Sequence, residues 1–484
     1  MAWLFFLAGL LGFGGALLLR HTWFQTSAWD LAIFSQAVDL IARGLPAHSS
    51  LLGFHILGDH GALVLYPLAA LARLLPVPWL LIILQSAALA AAVFPLDRLG
   101  QRRGLRPAAR ALSLAVLLLY PVVFNTAIFD FHPEVLAFPL VFAAIARLER
   151  GRPRDQLAVV VCLLLALTCK LALALLVIGF ALAALIRGLR RLALVLMGLA
   201  LAWLAAIGGV LMPAFGGVAA GLQRHGEKFG LDPGALGAGA DPLQAWTIAV
   251  GNVFCWPNLG YLLLLTLPVM YVFFHRQRRR FLIGLLPFLP LLLVNLTAAS
   301  LAMKDLVHHY SLFLVPFLVA GVQQTLVGSA AGGVGDGYGP WLRARLLPVI
   351  LAWAVLSFLI VSRVSFFATS FCDRLDTAEP LRAAIALVRP DASVLTANQI
   401  APHLARRPVL AITSNTTLQQ LEHYQMVLLD RRHPGWKSSP KLVAAIIERL
   451  RADPCLRLRF DRGGVLLFDR ADAACSAQPP SQPR

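Results

Sequence analysis

Long apolar segments separated by short polar loops recur along the first three quarters of the chain. They are 3–19, 79–96, 111–129, 135–148, 157–186, 192–212, 258–274, 281–298, 311–327 and 346–361. A helix needs about 20 apolar residues to cross a bilayer, and several segments reach that length. Of the 484 residues, 59% are hydrophobic and 14% are charged, which excludes a water-soluble fold of this size. The sequence therefore predicts an α-helical polytopic membrane protein.

Basic residues are concentrated in alternate loops of this series. Runs of arginine occur within 98–110, 147–154, 187–191, 276–280 and 343–345. Cytoplasmic loops are enriched in Lys and Arg, so these runs predict the cytoplasmic side and an uncleaved, cytoplasmic N-terminus in an inner (plasma) membrane. This explains the formal net charge of +18, and no nucleic-acid partner is expected. The opposite loops hold fewer basic residues, among them Arg20, Arg43, Lys170, Arg224, Lys228 and Lys304.

The orientation constrains how often the chain crosses the membrane. Arg154 and Arg187 are both assigned to the cytoplasm, so segment 157–186 is expected to cross twice, with a turn near Thr168-Cys169-Lys170. Segment 61–75 cannot cross if 79–96 runs inward, and it is expected to be re-entrant or interfacial. Residues 1–362 are thus predicted to form about eleven transmembrane helices plus this one re-entrant or interfacial helix, with a first outer loop at 20–60.

The last part of the chain has the pattern of a separate domain. Strands are predicted at 393–397, 409–412, 426–430, 456–460 and 464–468, and helices at 381–388 and 441–450. This alternation predicts a small α/β domain over 363–476, which the crossing number puts outside the cytoplasm. The Gly-rich segment 328–339 is expected to be a flexible loop, and 477–484 a disordered tail.

Polar residues point to one face of the membrane. The stretch Phe129-Asp130-Phe131-His132-Pro133-Glu134 crowds two carboxylates and an imidazole into a short loop between apolar segments. Ionisable groups beside a membrane span often have a function. Because the inner loops carry few acids or histidines, we expect the outer residues to share one site. The others are Asp30, Asp59, His60, Lys170, His309 and Tyr310.

Some of these residues also have structural interpretations. Glu134 follows Pro133 and could cap the helix that begins there. Lys170 could extend towards lipid headgroups, and His309 could be an interfacial side chain.

Several motifs resemble a family of uncharacterised bacterial multi-pass membrane proteins, a domain of unknown function. In chain order they are Trp29-Asp30-Leu31-Ala32-Ile33-Phe34-Ser35-Gln36, Leu57-Gly58-Asp59-His60, the 129–134 stretch, Cys169-Lys170 and His309-Tyr310. The layout of this family is similar to that of the GT-C glycosyltransferases, which take sugars from polyprenyl-phosphate lipids on the outer face. The family usually has Phe-Asp-Gln at 34–36 and Lys-Glu-Asp at 170–172, so this chain lacks acids that relatives carry.

The resemblance to GT-C enzymes implies roles for the outer residues. Asp30 is expected to be the catalytic base that accepts the proton of the acceptor hydroxyl, with Asp59 as the alternative. Lys170, His309 and His60 are expected to stabilise the departing polyprenyl phosphate.

The remaining candidates are expected to bind substrate. Asp130, His132 and Glu134 would position the acceptor or hold a divalent metal, for which Mg²⁺ or Mn²⁺ suits carboxylate and imidazole ligands. Tyr310 would bind substrate next to His309.

The function implied by the resemblance is transfer of a hexose or pentose from a polyprenyl-phosphate lipid to an envelope glycan, lipid or protein. Membrane lipids are further expected partners. One alternative is a transporter of a small molecule or lipid, which intramembrane acids and histidines would also suit. Another is a non-catalytic envelope assembly protein. No internal repeat is visible, and the polar residues cluster at one face, which favours the enzyme over the transporter.

Overall fold

The structure is a computed structural model and describes residues 1–217, 226–230, 242–275, 278–327 and 340–470. Arg224, Arg276, the loop predicted at 328–339 and the tail predicted at 477–484 lie outside these ranges. The α-helices before residue 362 include Ala2–Thr22, Ile33–Ala42, Leu57–His60, Leu65–Leu71, Val77–Ala91, Val93–Arg102, Pro107–Leu118, Pro121–Ile128, Phe138–Leu148, Pro153–Leu167, Leu173–Ile186, Arg190–Trp203, Met212–Ala214, Pro242–Val253, Trp256–Thr266, Arg278–Gly284, Leu289–Thr297, Val315–Val327 and Pro340–Val361.

Short π and 3-10 segments connect or extend these helices. The π segments are Ala28–Ala32 and Leu204–Leu211, and the 3-10 segments in this part of the chain include Pro133–Ala137, Leu267–Phe274, Leu286–Phe288, Leu301–Met303 and His309–Leu314. Proline begins many of the helices, where its missing N–H would have had no helical partner.

Among the described residues, five helical stretches are long and apolar enough to cross a membrane. They are Ala2–Thr22, Val77–Arg102, Arg190–Ala214, Trp256–Phe274 and His309–Val327. The pair Pro107–Leu118 and Pro121–Ile128 makes a sixth if it is one span bent by 46°. The bend falls before Pro121, because a proline disfavours helical geometry in the preceding residue. The chain is therefore a helical membrane protein, as the sequence predicts.

The structure separates the helices within segment 157–186 where the sequence predicts a turn. The first helix ends at Leu167 and the next begins at Leu173, so Lys170 lies in the connection. Segment 61–75 contains only the seven-residue helix Leu65–Leu71, which is too short to cross a bilayer. The two segments are joined by backbone hydrogen bonds, from Val64 N–H to the Thr168 carbonyl (3.0 Å) and from Leu171 N–H to the His60 carbonyl (3.1 Å).

The C-terminal region is an α/β domain built on a five-stranded sheet. A short hairpin in the loop 20–60, which the sequence predicts to be the first outer loop, supplies β1 His48–Ser49 and β2 Phe54–His55. The sheet contains β3 Val394–Thr396, β4 Leu410–Ile412, β5 Met426–Asp430, β6 Leu456–Arg462 and β7 Val465–Arg470. Its strand order is β4-β3-β5-β7-β6, with β3, β4 and β5 parallel and β7 antiparallel to both of its neighbours. All five strands predicted for this domain are therefore present.

Alternation along the strands gives the sheet two apolar faces. Val394 and Leu428 face the helix Leu375–Ala386, while Leu395 and Leu429 face the helix Pro440–Ala452. The first face also packs against Phe24, Ala28 and Ala32 of the first outer loop, so this domain and the loop share one core.

Polar contacts reinforce this junction. The Asn398 side-chain oxygen accepts from the Ala28 N–H at 2.6 Å, beside Asp30. The Gln36 amide donates to the Arg407 carbonyl at 3.0 Å, and its oxygen accepts from Ser49 at 3.1 Å. The C-terminal domain therefore contacts both ends of the segment 28–36, which contains Asp30.

Candidate active site

The loop 129–134 is held in place by a glutamine from a neighbouring helix. The Gln85 amide donates to the Asp130 carbonyl at 2.5 Å, and its oxygen accepts from the His132 N–H at 2.9 Å. Asp130 has a φ of 103°, a conformation that non-glycine residues seldom adopt. The carboxylate of Asp130 and the imidazole of His132 therefore point to different partners.

Asp130 faces a cation at the end of the first helix. Its carboxylate forms a salt bridge with Arg20 at 2.5 Å and accepts from the Ser27 N–H at 2.9 Å. The side chain is 1% exposed. Burial raises the pKa of Asp130 to about 7, and the Arg20 guanidinium opposes this shift. In this arrangement Asp130 braces the first outer loop and does not face an open substrate site.

Glu134 faces a second cation. Its Oε1 lies 2.6 Å from Lys170 Nζ and 3.1 Å from His309 Nε2, and Lys170 Nζ lies 3.4 Å from the same imidazole nitrogen. Burial would raise the pKa of Glu134, but the charges of Lys170, His132 and His60 outweigh this effect and lower the pKa to about 2. Lys170 therefore points into the protein and not towards lipid headgroups, and Glu134 binds Lys170 and not a helix N-terminus.

His132 connects this buried group to the first outer loop. Its Nε2 lies 3.3 Å from Asp30 Oδ1, and its ring centroid lies 3.7 Å from that of His309. Burial lowers the pKa of His132, but the hydrogen bond to Asp30 and the charges of Asp30 and Glu134 outweigh it, so the pKa is raised. The side chain of Asp30 is 24% exposed, against 3% for that of His132. Asp30 is thus the carboxylate of this group that a bound molecule can reach.

The remaining predicted residues flank this group. The side chains of Asp59 and His60 contact each other, and the His60 ring lies 5.8 Å from the Phe34 ring. Tyr310 follows His309 with ring centroids 4.4 Å apart, and its hydroxyl accepts from Lys228 Nζ at 3.0 Å.

The Asp59-His60 turn is sterically confined. A Cβ on Gly58 would lie 2.6 Å from the Phe215 carbonyl oxygen, so the helix Leu57–His60 can approach that backbone only with glycine there. Gly61 follows with a φ of 61°, the left-handed conformation that glycine favours. Both glycines therefore determine the backbone position of Asp59 and His60.

The candidate metal set predicted from the sequence does not assemble. No group of three or more His, Cys, Asp or Glu side chains suited to a metal occurs in the part of the chain that the structure describes. Asp130 and Glu134 diverge because each is paired with a different cation, Arg20 and Lys170. The expectation that Asp130, His132 and Glu134 form one Mg²⁺ or Mn²⁺ site is therefore wrong in its geometry.

Three contributing residues were not singled out from the sequence. Arg20 and Lys228 were treated only as charges on the outer side, and Gln85 was not considered. Gln85 carries a usable signal, because it is a fully buried amide within the apolar segment 79–96, and buried polar groups need partners. No comparable sequence signal predicts that Arg20 binds Asp130, because the two residues are 110 positions apart in the chain.

The site can support proton transfer next to an anion-binding region. A partly exposed carboxylate backed by an imidazole can accept a proton, and nearby ammonium groups can bind phosphate oxygens. Together with the helical membrane region and the C-terminal α/β domain, this arrangement defines an integral-membrane protein with a candidate site built from several membrane segments.

Comparison with known proteins supports that class. Residues 20–466 match the family described as "Predicted membrane protein (DUF2079)", and the chain belongs to this family. The structure is similar to the crystal structure of ArnT from Cupriavidus metallidurans bound to undecaprenyl phosphate, with a TM-score of 0.58, 13% identity and 98% of each chain covered. The apo crystal structure of the same enzyme gives a TM-score of 0.56 at 12% identity, covering 96% of this chain and 97% of that one. No curated protein sequence matches the chain. The GT-C resemblance is thus confirmed at the level of fold.

Proposed function

We propose that this protein is a glycosyltransferase that moves a sugar from a polyprenyl-phosphate donor to an envelope acceptor on the extracytoplasmic face of the membrane. The observation that carries the proposal is the contact of Asp30 with the buried imidazole of His132, which adjoins the Glu134-Lys170 pair. The donor class is supported by the fold that the chain shares with ArnT, which binds undecaprenyl phosphate in its crystal structure.

Asp30 is the proposed base. Its carboxylate accepts the proton of the acceptor hydroxyl while that oxygen attacks the anomeric carbon, and the bond from this carbon to the phosphate oxygen breaks. His132 positions the carboxylate through the 3.3 Å contact. Asp59 is less suited to this role, because its side chain is 9% exposed and is paired with His60.

The departing polyprenyl phosphate takes the bonding electrons and needs positive charge. Lys170 supplies it from the centre of the site, although Glu134 neutralises part of that charge. Lys228 lies at the Tyr310 hydroxyl and adds a second ammonium group on the same side. We assign to His60 the role of orienting the phosphate, and to His309 the role of orienting the Lys170 side chain.

The proposed orientation has the N-terminus in the cytoplasm of an inner-membrane protein with about eleven crossings and one re-entrant segment. In this proposed orientation the Arg20 end of the helix Ala2–Thr22, beside Asp130, faces outward and the Trp3 end faces the cytoplasm. The arginine-rich loops near Arg98 and Arg147 would then meet the positive-inside rule. A cysteine introduced at the exposed position Pro76 tests this orientation, and labelling of Pro76→Cys from the cytoplasm would contradict the re-entrant assignment.

The function is tested by incubating the purified full-length protein, in lipid nanodiscs, with polyprenyl-phosphate sugars and following transfer or slow hydrolysis of the sugar. Asp30→Asn should lower the rate by about 10²–10⁴-fold, the usual contribution of a general base. Asp39→Asn is the matched control, because Asp39 lies on the same outer loop but pairs with Arg43 at 3.0 Å. If wild-type protein neither turns over nor binds any such lipid, the proposal fails.

A further inference from the structure

A cavity lies far from the candidate active site. It has a volume of about 470 Å³ and is lined by Trp3, Phe94 and Leu140 together with Arg98, Arg102 and Arg147. The helices Ala2–Thr22, Val93–Arg102 and Phe138–Leu148 supply these side chains. One cavity thus combines an apolar wall with three guanidinium groups.

The cavity lies at the other end of the first helix from Asp130. Trp3 and Arg20 are 17 residues apart in the helix Ala2–Thr22, which corresponds to about 25 Å at 1.5 Å per residue. Trp3 contacts Phe94 with ring centroids 4.7 Å apart, whereas Arg20 binds Asp130. The cavity is therefore separate from the proposed sugar-transfer site and, in the orientation proposed above, opens at the cytoplasmic leaflet.

The arginines of this cavity carry excess positive charge. Within the described ranges, Arg98 forms no salt bridge, and Arg102 donates to the Ala146 carbonyl at 3.1 Å but has no carboxylate partner. Arg147 pairs with Asp155 at 2.8 Å, and Arg150 shares the same carboxylate at 3.4 Å. Of the three arginines that line the cavity, only Arg147 has a carboxylate partner among the described residues, and it shares that partner with Arg150, which leaves the cavity complementary to an anion.

The apolar wall continues out of the cavity along the first helix. Trp3 is 68% exposed, and Leu4, Leu7 and Leu11 follow it on one exposed helix face with exposures of 70%, 50% and 72%. Such a face suits a hydrocarbon chain running along the helix in the bilayer. A small free anion would make no use of it.

We propose that this cavity binds an anionic membrane phospholipid. The phosphate lies between Arg98 and Arg102, and one acyl chain follows the Trp3-Leu4-Leu7-Leu11 face. Basic pockets between helices near the cytoplasmic surface commonly bind such headgroups. The site differs in place and ligand from the proposed polyprenyl-phosphate site.

Native mass spectrometry of the full-length protein tests the proposal, with phosphatidylglycerol or phosphatidylcholine added after delipidation. We expect bound phosphatidylglycerol in the wild type and about tenfold or greater weakening in Arg98→Gln/Arg102→Gln, since each cation contributes measurably near anionic lipid. The control Arg190→Gln/Arg191→Gln removes the same charge from exposed positions of another basic loop and should bind like the wild type. Arg98→Gln alone serves if the double variant unfolds, because Arg98 is exposed.

Three outcomes would overturn the lipid assignment. They are equal binding of phosphatidylcholine, equal weakening in both double variants, and displacement of the lipid by inorganic phosphate, which would indicate a free-anion site. None of them bears on sugar transfer, so this proposal and the proposed function fail separately.

Discussion

The Nε2 atom of His132 lies 3.3 Å from Oδ1 of Asp30, so a loop between two membrane helices supports a carboxylate of the first outer loop. The two residues are more than 100 positions apart in the chain. The contact joins the exposed carboxylate to the buried group formed by His309, Glu134 and Lys170. It predicts that His132 affects the reaction through Asp30 and not by touching substrate.

Replacing His132 should change the pH dependence of transfer as well as its rate. The raised pKa of His132 keeps the imidazole protonated, and donating to Asp30, to a higher pH than an ordinary histidine allows. His132→Gln should therefore remove the fall in rate that accompanies deprotonation of His132 as the pH rises through its pKa. His308→Gln is the control, because His308 pairs with Asp305 at 2.7 Å. An unshifted profile in His132→Gln would contradict the role of His132.

Substitutions of Lys170 and Glu134 should have non-additive effects on the free energy of unfolding. Lys170→Met leaves a buried carboxylate without its ammonium partner, and removal of one member of a buried pair costs about 3–5 kcal/mol. Adding Glu134→Gln should recover much of that loss. Thermal unfolding of the single and double variants in one detergent measures the coupling. Additive losses would show that the pair is not a unit.

Acid should destabilise the protein through Glu134. Its folded-state pKa of about 2 lies below the ordinary value of 4.5, so ionised Glu134 stabilises the folded state fully above pH 4.5. That contribution is lost as the pH falls from 4.5 through 2. Glu134→Gln should remove this part of the acid dependence. Unfolding measured at several pH values between 2 and 6 checks it, and parallel curves for both proteins would refute the assignment.

Local sequence patterns were sufficient for much of the fold. The strands of the C-terminal domain were predictable because β-branched and aliphatic runs alternate with helical segments, and β5 has the predicted bounds. The turn at Lys170 followed from the charges that flank segment 157–186. These features depend on hydrophobicity and charge along the chain, which the sequence displays directly.

Side-chain partners were less predictable. Asp130 and Glu134 are four residues apart, and the sequence suggested that they act together. In the structure the unusual φ of Asp130 directs its carboxylate to Arg20, whereas Glu134 meets Lys170. Which cation each acid meets depends on helix packing between distant segments, and no local pattern encodes it. The same holds for the contact of Asn398 with Ala28.

Asn398 should affect sugar transfer although it belongs to the C-terminal domain. Its buried side-chain oxygen accepts from the Ala28 N–H at 2.6 Å and lies 3.2 Å from the Ser27 hydroxyl, two positions that lead directly to Asp30. Asn398→Ala leaves the buried Ala28 N–H without this acceptor, a loss of about 1–3 kcal/mol. We expect slower transfer because the Asp30 segment loses its anchor.

The design of the Asn398 experiment separates positioning from general damage. Asn398→Asp keeps an acceptor oxygen at the same place and should retain most of the transfer rate. Asn415→Ala removes an exposed asparagine of the same domain and should behave like the wild type. If Asn398→Ala unfolds at a lower temperature but transfers sugar at the wild-type rate below that temperature, the domain stabilises the fold without positioning Asp30. A rate that falls in Asn398→Ala and recovers in Asn398→Asp would instead connect the α/β domain to the chemistry, because the rate would then follow the acceptor oxygen in spite of the added buried charge.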